Sequence, residues 1–170
     1  MGPNSRQALR FSEAPHDPLA ALYGLTSPFL DMNLYFSCSL TGGREDQAIY
    51  ARIVDHLLAG GHTVPTAHLA RPDVMDLERV VDPEEVYFRD IAWIDACDAM
   101  VAEVSTPSHG VGIEIAYALS IRKPVLCCYQ RGARVSKMIT GNRSAGLVVR
   151  DYADESEALA AVEGFLAGLG

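Results

Sequence analysis

The chain has 170 residues, of which 49% are hydrophobic, and a formal net charge of −8. This length suits one domain with a substantial core, and this apolar content excludes a disordered chain. No apolar run approaches the roughly 20 residues that span a bilayer, and no charged segment followed by an apolar stretch marks secretion. The acidic charge, without a dense Lys/Arg cluster, disfavours a nucleic-acid polymer as partner.

Strand and helix patterns alternate along most of the chain. Residues 1–31 contain four prolines and no clear periodicity, which predicts a flexible arm before a single domain at 32–170. Short apolar runs predict buried strands at 33–39, 62–69, 99–104, 124–129 and 146–152. Periodic segments predict helices at 44–61, 82–97, 112–121, 135–140 and 155–169. Residues 70–82 are predicted to form a loop.

Strands joined by helices imply right-handed crossovers and a parallel sheet covered on both faces. Pro65 shifts the short 62–69 strand to an edge of the sheet or gives it an irregular end. In such sheets ligands bind beyond the carboxyl ends of the strands. If the strand order is 2-1-3-4-5, the two glycine-bearing loops, after the first and third strands, face one crevice.

The cysteines show no metal-binding spacing. Cys127 and Cys128 are adjacent, so their side chains point to opposite faces of a strand, and Cys38 and Cys97 stand apart. We expect buried, reduced thiols in a cytoplasmic or nuclear protein. No metal or organic cofactor is expected.

The loop "SLTGGRE" (39–45) joins the first strand to a helix. Gly42 and Gly43 permit close approach of a ligand to the backbone, and the helix N-terminus attracts anions. The loop lacks the ending of a phosphate-binding P-loop. A plain turn is an equally good interpretation of this loop alone.

The loop "SHGVGIE" (108–114) is more informative. Gly110 and Gly112 leave amide hydrogens available near a helix start, and Ser108 can donate to a phosphate oxygen. Glu114 is predicted in the first helical turn, where it is either a simple dipole stabiliser or an ionised nucleophile in the crevice.

Other residues have both structural and chemical interpretations. Asp90 is a surface or ion-paired acid, or the second acid that glycosidic chemistry needs. Tyr35 is either core or a hydroxyl near the end of the first strand. His68, at the end of the second predicted strand, is either structural or a ligand contact.

Three blocks together carry a family resemblance: "LYFSCSLTGGRED", "FRDIAWIDACDAMVAEVSTPSHGVGIEIAYAL" and "ARVSKMITG". From residue 34 onward the chain resembles the 2′-deoxynucleoside 5′-monophosphate N-hydrolases of the nucleoside 2-deoxyribosyltransferase family. The resemblance implies a flavodoxin-like fold and cleavage of a deoxynucleotide to free base and 2-deoxyribose 5-phosphate. It also implies a homodimer with composite sites.

The resemblance assigns roles to individual residues. It implies that Glu114 attacks the anomeric carbon, that Asp90 helps to protonate the leaving base, and that Tyr35 lies beside the sugar. Phosphate is then held by Ser39, Ser108 and the partner subunit's Ser136. The full set of predicted substrate contacts is Cys38, Ser39, Leu40, Thr41, Gly42, Gly43, Arg44, His68, Ser108, Gly110, Gly112, Ser136, Lys137 and Met138.

Departures from the family pattern keep the substrate open. Cys38 replaces a glycine, where its Cβ is expected to narrow the approach to the ligand, and Thr41 stands where relatives often carry Arg. Three alternatives therefore remain: a deoxyribosyltransferase, a hydrolase of ribonucleotides such as CMP, and a non-catalytic nucleotide-binding module. The sequence does not name the base.

Overall fold

The structure, a computed structural model, describes residues 31–43 and 45–169, apart from the side chain of Leu77. Within these residues one parallel sheet has the order β1-β2-β3-β4, with strands β1 (Leu34–Ser37), β2 (Ala99–Glu103), β3 (Val125–Gln130) and β4 (Leu147–Tyr152). The helices of the same region are α1 (Gln47–Ala59), α2 (Val74–Glu78), α3 (Pro83–Ala96), α4 (His109–Ser120), α5 (Lys137–Thr140) and α6 (Glu155–Ala167). Residues 1–30 of the predicted arm lie outside the described residues.

The sheet separates two apolar cores. In β1, Leu34 and Phe36 pack on the face covered by α1 and α6, whereas Tyr35 packs on the face covered by α3 and α4. Cys128 and Cys127 divide between the same two cores, as their adjacency predicts. A parallel α/β sheet with helices on both faces is therefore confirmed.

The predicted second strand is wrong in its extent. Thr63 forms one isolated parallel bridge with Asn33, in which the Leu34 amide donates to the Thr63 carbonyl at 2.8 Å. The chain then turns at Pro65, which has no N–H to continue a ladder, and coils into a short 3₁₀ helix at Ala67–Ala70. The described sheet has four strands, so the five-stranded order is not confirmed.

Helix caps explain where the predicted helix starts succeed and fail. Asp82 accepts a hydrogen bond from the Glu84 amide at 2.9 Å, and Pro83 occupies the first helical position of α3, as predicted. Helix α4 begins at His109, three residues before the predicted start, because Ser108 acts as its N-cap. Residues 74–78, predicted as loop, form α2.

Candidate active site

The loops after β1 and β2 touch at the carboxyl edge of the sheet. A Cβ placed on Gly42 would lie 2.3 Å from the Pro107 carbonyl oxygen, so only glycine permits this approach. The Thr106 hydroxyl donates to Asp46 at 2.8 Å and links the two loops a second time. The two glycine-bearing loops therefore share one edge because β1 and β2 are adjacent in the sheet.

Glu114 lies in the second turn of α4, with its side chain partly buried against the end of β1. The Ser37 hydroxyl donates a hydrogen bond to Glu114 Oε2. Burial raises the pKa of Glu114, the hydrogen bond from Ser37 opposes that rise, and the charge of Asp90 adds to it. The carboxylate is thus held away from bulk water by neighbours that both favour and oppose its ionisation.

Tyr35 lies on the same face of β1 as Ser37 and is fully buried. Burial, followed by the nearby charges of Glu114 and Asp90, raises the pKa of Tyr35 far above its ordinary value, so the phenol stays protonated. Its hydroxyl makes no hydrogen bond of ideal geometry within the described residues, but it lies close enough to Glu114 to favour the ionised form of that carboxyl. The phenol is therefore a buried, protonated donor beside Glu114 and near Asp90.

Asp90 belongs to a polar cluster on α3 and α2. Arg89 Nε donates to Asp90 Oδ1 at 2.9 Å, and the same guanidinium contacts Glu78 Oε1 at 3.2 Å. Burial raises the pKa of Asp90, and Arg89 opposes the rise. A carboxyl with a raised pKa close to a second carboxyl is suited to donating and accepting a proton.

His68 joins this cluster through the 3₁₀ helix, where its Nε2 lies 3.0 Å from Glu78 Oε1. The Trp93 ring completes the cluster: it makes an edge contact with His68, and the Arg89 guanidinium lies 4.8 Å from its centroid. The structure therefore places His68 in the same polar cluster as Asp90 and adds an aromatic surface that the sequence analysis did not assign.

The predicted phosphate residues occupy two separate places. Ser39 is buried at the end of β1, and Ser108 caps α4 by accepting from the Val111 amide at 3.5 Å. Ser136 caps the short helix α5, where Lys137 and Met138 are exposed, and no described contact joins these residues to Glu114.

The structure gives the local conformation of several residues that were predicted to contact the substrate. Gly110 and Gly112 lie inside α4 without positive φ, so they are helical residues and not loop residues. Gly43 has a φ of +140°, which does require glycine. Cys38 points into the core, with Sγ 3.8 Å from the Leu69 carbonyl oxygen, so its side chain does not narrow the crevice.

The remaining loop predictions have mixed outcomes. Thr41 is exposed and Leu40 is half-buried against the core beside α1. Arg44 lies outside the described residues.

Two buried polar residues were missed by the sequence analysis. Ser37 could have been found, because Tyr35 and Ser37 are two residues apart and therefore face the same side of β1. Glu103 ends β2, is fully buried, and accepts a hydrogen bond from the Tyr152 hydroxyl at 2.7 Å. Burial raises the pKa of Glu103, against hydrogen bonds from Ser105 and Tyr152.

Three cavities formed by described residues lie away from Glu114. One of about 440 Å³ lies between β4 and α6, one of about 280 Å³ near the start of α1, and one of about 230 Å³ between α1 and α6. Among the described residues, no group of three or more His, Cys, Asp or Glu side chains is placed to hold a metal ion. No described helix is long and apolar enough to cross a membrane.

The fold and the site define a class: an α/β protein whose parallel sheet carries two interacting carboxyls beside loops rich in glycine and serine. The sequence profile of the family described as nucleoside 2-deoxyribosyltransferase matches residues 34–159. The chain belongs to this family, which confirms the resemblance carried by its motifs.

Curated relatives are similar over most of their own length. The 5-hydroxymethyl-dUMP N-hydrolase of Mus musculus is 40% identical over 128 residues, which cover 72% of this chain and 73% of that protein. The protein of the same name from Tetraodon nigroviridis is 39% identical over 129 residues, 73% of this chain and 90% of that protein. The solved structure of the CMP N-glycosidase BcmB of Clostridium botulinum matches with a TM-score of 0.60, covering 78% of this chain and 98% of that one at 19% identity. At this identity the likeness shows the fold alone.

Proposed function

We propose that this protein hydrolyses the N-glycosidic bond of 2′-deoxynucleoside 5′-monophosphates to free base and 2-deoxyribose 5-phosphate. The observation that carries the proposal is the partly buried Glu114 carboxylate, held by Ser37 beside Tyr35 and close enough to Asp90 for their charges to interact. Relatives named as N-hydrolases of a deoxynucleoside monophosphate support it.

The proposed reaction has two steps and retains configuration. A Glu114 oxygen bonds to C1′ while the C1′–N bond breaks. The electron pair of the C1′–N bond leaves with the base, and the base takes a proton from Asp90. Water then gives a proton to Asp90 as its oxygen bonds to C1′, and the Glu114 carboxylate departs. Both steps pass through oxocarbenium-like transition states, which a neighbouring carboxylate stabilises.

Phosphate binding is proposed at the loops that meet at the carboxyl edge. Ser39 and Ser108 lie in these loops, and the first amides of α4 have no acceptor within the helix, which favours an anion there. The 5′-phosphate would then anchor the end of the substrate opposite the base. The base would lie towards Asp90, where Trp93 and His68 supply ring surfaces.

The proposed active form is a homodimer in which the partner subunit's Ser136 completes each phosphate site. Large apolar side chains are exposed on the α3, α4 and α5 surfaces: Tyr87, Phe88, Ile113 and Met138 are 56%, 60%, 60% and 83% exposed. A second copy that covers them would also bring its α5 towards the crevice. This fits with Ser136 making no described contact with Glu114 in its own chain.

The finer architecture is part of the same proposal. Both cores share one sheet, which supports a single catalytic domain at 32–170. The parallel bridge between Asn33 and Thr63 supports a flavodoxin-like order 2-1-3-4-5 with a reduced outer strand. A cytoplasmic or nuclear location suits the four buried cysteine thiols.

The test is a panel of deoxy- and ribonucleoside monophosphates and their unphosphorylated nucleosides, with released base measured by chromatography. We expect release from deoxynucleoside monophosphates by wild type and at least a 1000-fold loss in Glu114→Gln, in the range seen when a nucleophile is removed. A second free base in the mixture separates the alternatives, because a new nucleoside product would indicate a transferase. Release from CMP alone would indicate a ribonucleotide hydrolase, and no release at all would overturn the proposal.

Composite sites predict complementation between two inactive variants. Mixed dimers of Glu114→Gln and Ser136→Ala subunits contain one site with both residues intact, so activity should return on mixing. If the site lies within one subunit, mixing restores nothing.

A further inference from the structure

Ser37 is placed to control Glu114 directly. It ends β1, is 1% exposed, and its hydroxyl donates to Glu114 Oε2. The partners come from different elements, β1 and α4, so the contact depends on the packing of α4 against the sheet. Neither the loops nor the Asp90 cluster supplies this hydrogen bond.

The hydrogen bond restrains the carboxylate in two ways. A glutamate side chain has three rotatable bonds, and fixing one oxygen to β1 removes most of its freedom to swing along the crevice. The hydrogen bond also favours the ionised form of Glu114, against the effects of burial and of the charge on Asp90, and the Tyr35 hydroxyl adds a smaller effect in the same direction as Ser37.

We propose that Ser37 is a positioning residue for the nucleophile, which holds Oε2 so that Oε1 faces the sugar. The inference rests on the proposed function of Glu114 and adds a residue to it. In the first step, Oε1 forms the ester bond while Oε2 becomes its carbonyl oxygen and still accepts from Ser37. In the second step, the returning electron pair makes Oε2 a stronger acceptor, so Ser37 stabilises the departing carboxylate.

The inference can be tested without relying on turnover. Carbon-13 NMR of substrate-free protein with ¹³C-labelled glutamate reports the titration of Glu114 in wild type, Ser37→Ala and Ser37→Cys. The Glu114 carboxyl signal is assigned by its absence from the spectrum of Glu114→Gln. Ser37→Cys keeps the size of the side chain with a weaker donor. Ser120→Ala is the matched control, because it removes a serine hydroxyl from α4 that donates to the Tyr117 carbonyl at 2.7 Å and does not contact Glu114.

We expect Ser37→Ala to raise the Glu114 pKa by about one unit, which corresponds to the loss of one charge-assisted hydrogen bond. Ser37→Cys should give a smaller rise and Ser120→Ala none. The acid limb of the kcat/KM profile should move by the same amounts, with kcat about tenfold lower in Ser37→Ala and KM little changed. If Ser37→Ala fails to fold, the direction of the Glu114 pKa shift in Ser37→Cys tests the inference: a rise supports the role of Ser37, and no change overturns it.

The outcomes separate the two proposals. An unchanged Glu114 titration in both Ser37 variants overturns the role of Ser37, whatever the activity. A shifted titration in a protein that releases no base supports the contact and overturns the function proposed for the site.

Discussion

Gly42 is a position where a single added methyl group should disturb both loops of the candidate active site. A methyl group there would meet the Pro107 carbonyl oxygen at 2.3 Å and the Ser39 hydroxyl at 2.7 Å. Ordinary contacts between non-bonded heavy atoms lie at about 3.5 Å. The closer of the two atoms, the Pro107 carbonyl oxygen, belongs to the backbone and cannot rotate away. Gly42→Ala must therefore push the β1–α1 and β2–α4 loops apart by about 1 Å.

The magnitude follows from that displacement. Overpacking of this kind destabilises a fold by about 1–3 kcal/mol, which lowers the Tm of a chain of this size by several degrees. A misplacement of about 1 Å in a substrate-holding group lowers the rate about 100-fold. Because these loops carry Ser39 and Ser108, the loss should fall on phosphorylated substrates more than on nucleosides.

The assay is kcat/KM for one deoxynucleoside monophosphate and its nucleoside, with Tm measured alongside. Gly164→Ala is the control, because this glycine lies in α6 with no atom within 4 Å of an added Cβ. It should keep full activity and gain up to about 1 kcal/mol from helix propensity. Wild-type stability and kcat/KM in Gly42→Ala would refute the proposed contact between the loops.

Three further predictions concern buried polar groups. Tyr35→Phe should leave the Tm within about 2 °C of wild type, since among the described residues the hydroxyl makes no hydrogen bond of ideal geometry and contacts only the partly buried Glu114, yet lower kcat at least tenfold; a lowered Tm with an unchanged kcat would assign the hydroxyl a structural role. Asp90→Asn should remove one limb of the pH profile and slow poor leaving bases most, which a base-release series measures. Burial raises the pKa of Glu103, so ionisation of this carboxyl opposes folding. Its contribution to the free energy of unfolding is complete below the pKa that it has in the unfolded chain. That contribution is lost as pH rises through the pKa that it has in the folded protein. Urea unfolding from about pH 4 to 8 should therefore show Glu103→Gln gaining stability relative to wild type as pH rises, and a constant difference would contradict this.

Periodicity predicted much of the fold because it reports which side of a strand or helix is buried. The alternation in β1 and at Cys127 and Cys128 follows directly from a strand with a core on each face. The Asp82 cap was predictable because side-chain and backbone partners are neighbours in sequence. Local rules therefore account for both faces of the sheet and for the start of α3.

The failures lie where a long-range contact decides the local structure. The 62–69 segment has strand-like composition, but after Thr63 the turn at Pro65 ends its pairing with β1. Gly110 and Gly112 indicated a loop, but Ser108 acts as an N-cap and starts α4 before them. No local pattern pairs Ser37 with Glu114, because 77 residues separate them in sequence.

The central claim is that Glu114 forms a covalent bond to the sugar. The most direct measurement is rapid acid quenching of the protein with a deoxynucleoside monophosphate, followed by mass spectrometry of its peptides. The account predicts a 2-deoxyribose 5-phosphate ester on Glu114 that is absent from Glu114→Gln. Full base release with an ester on another residue, or undiminished release by Glu114→Gln, would contradict it.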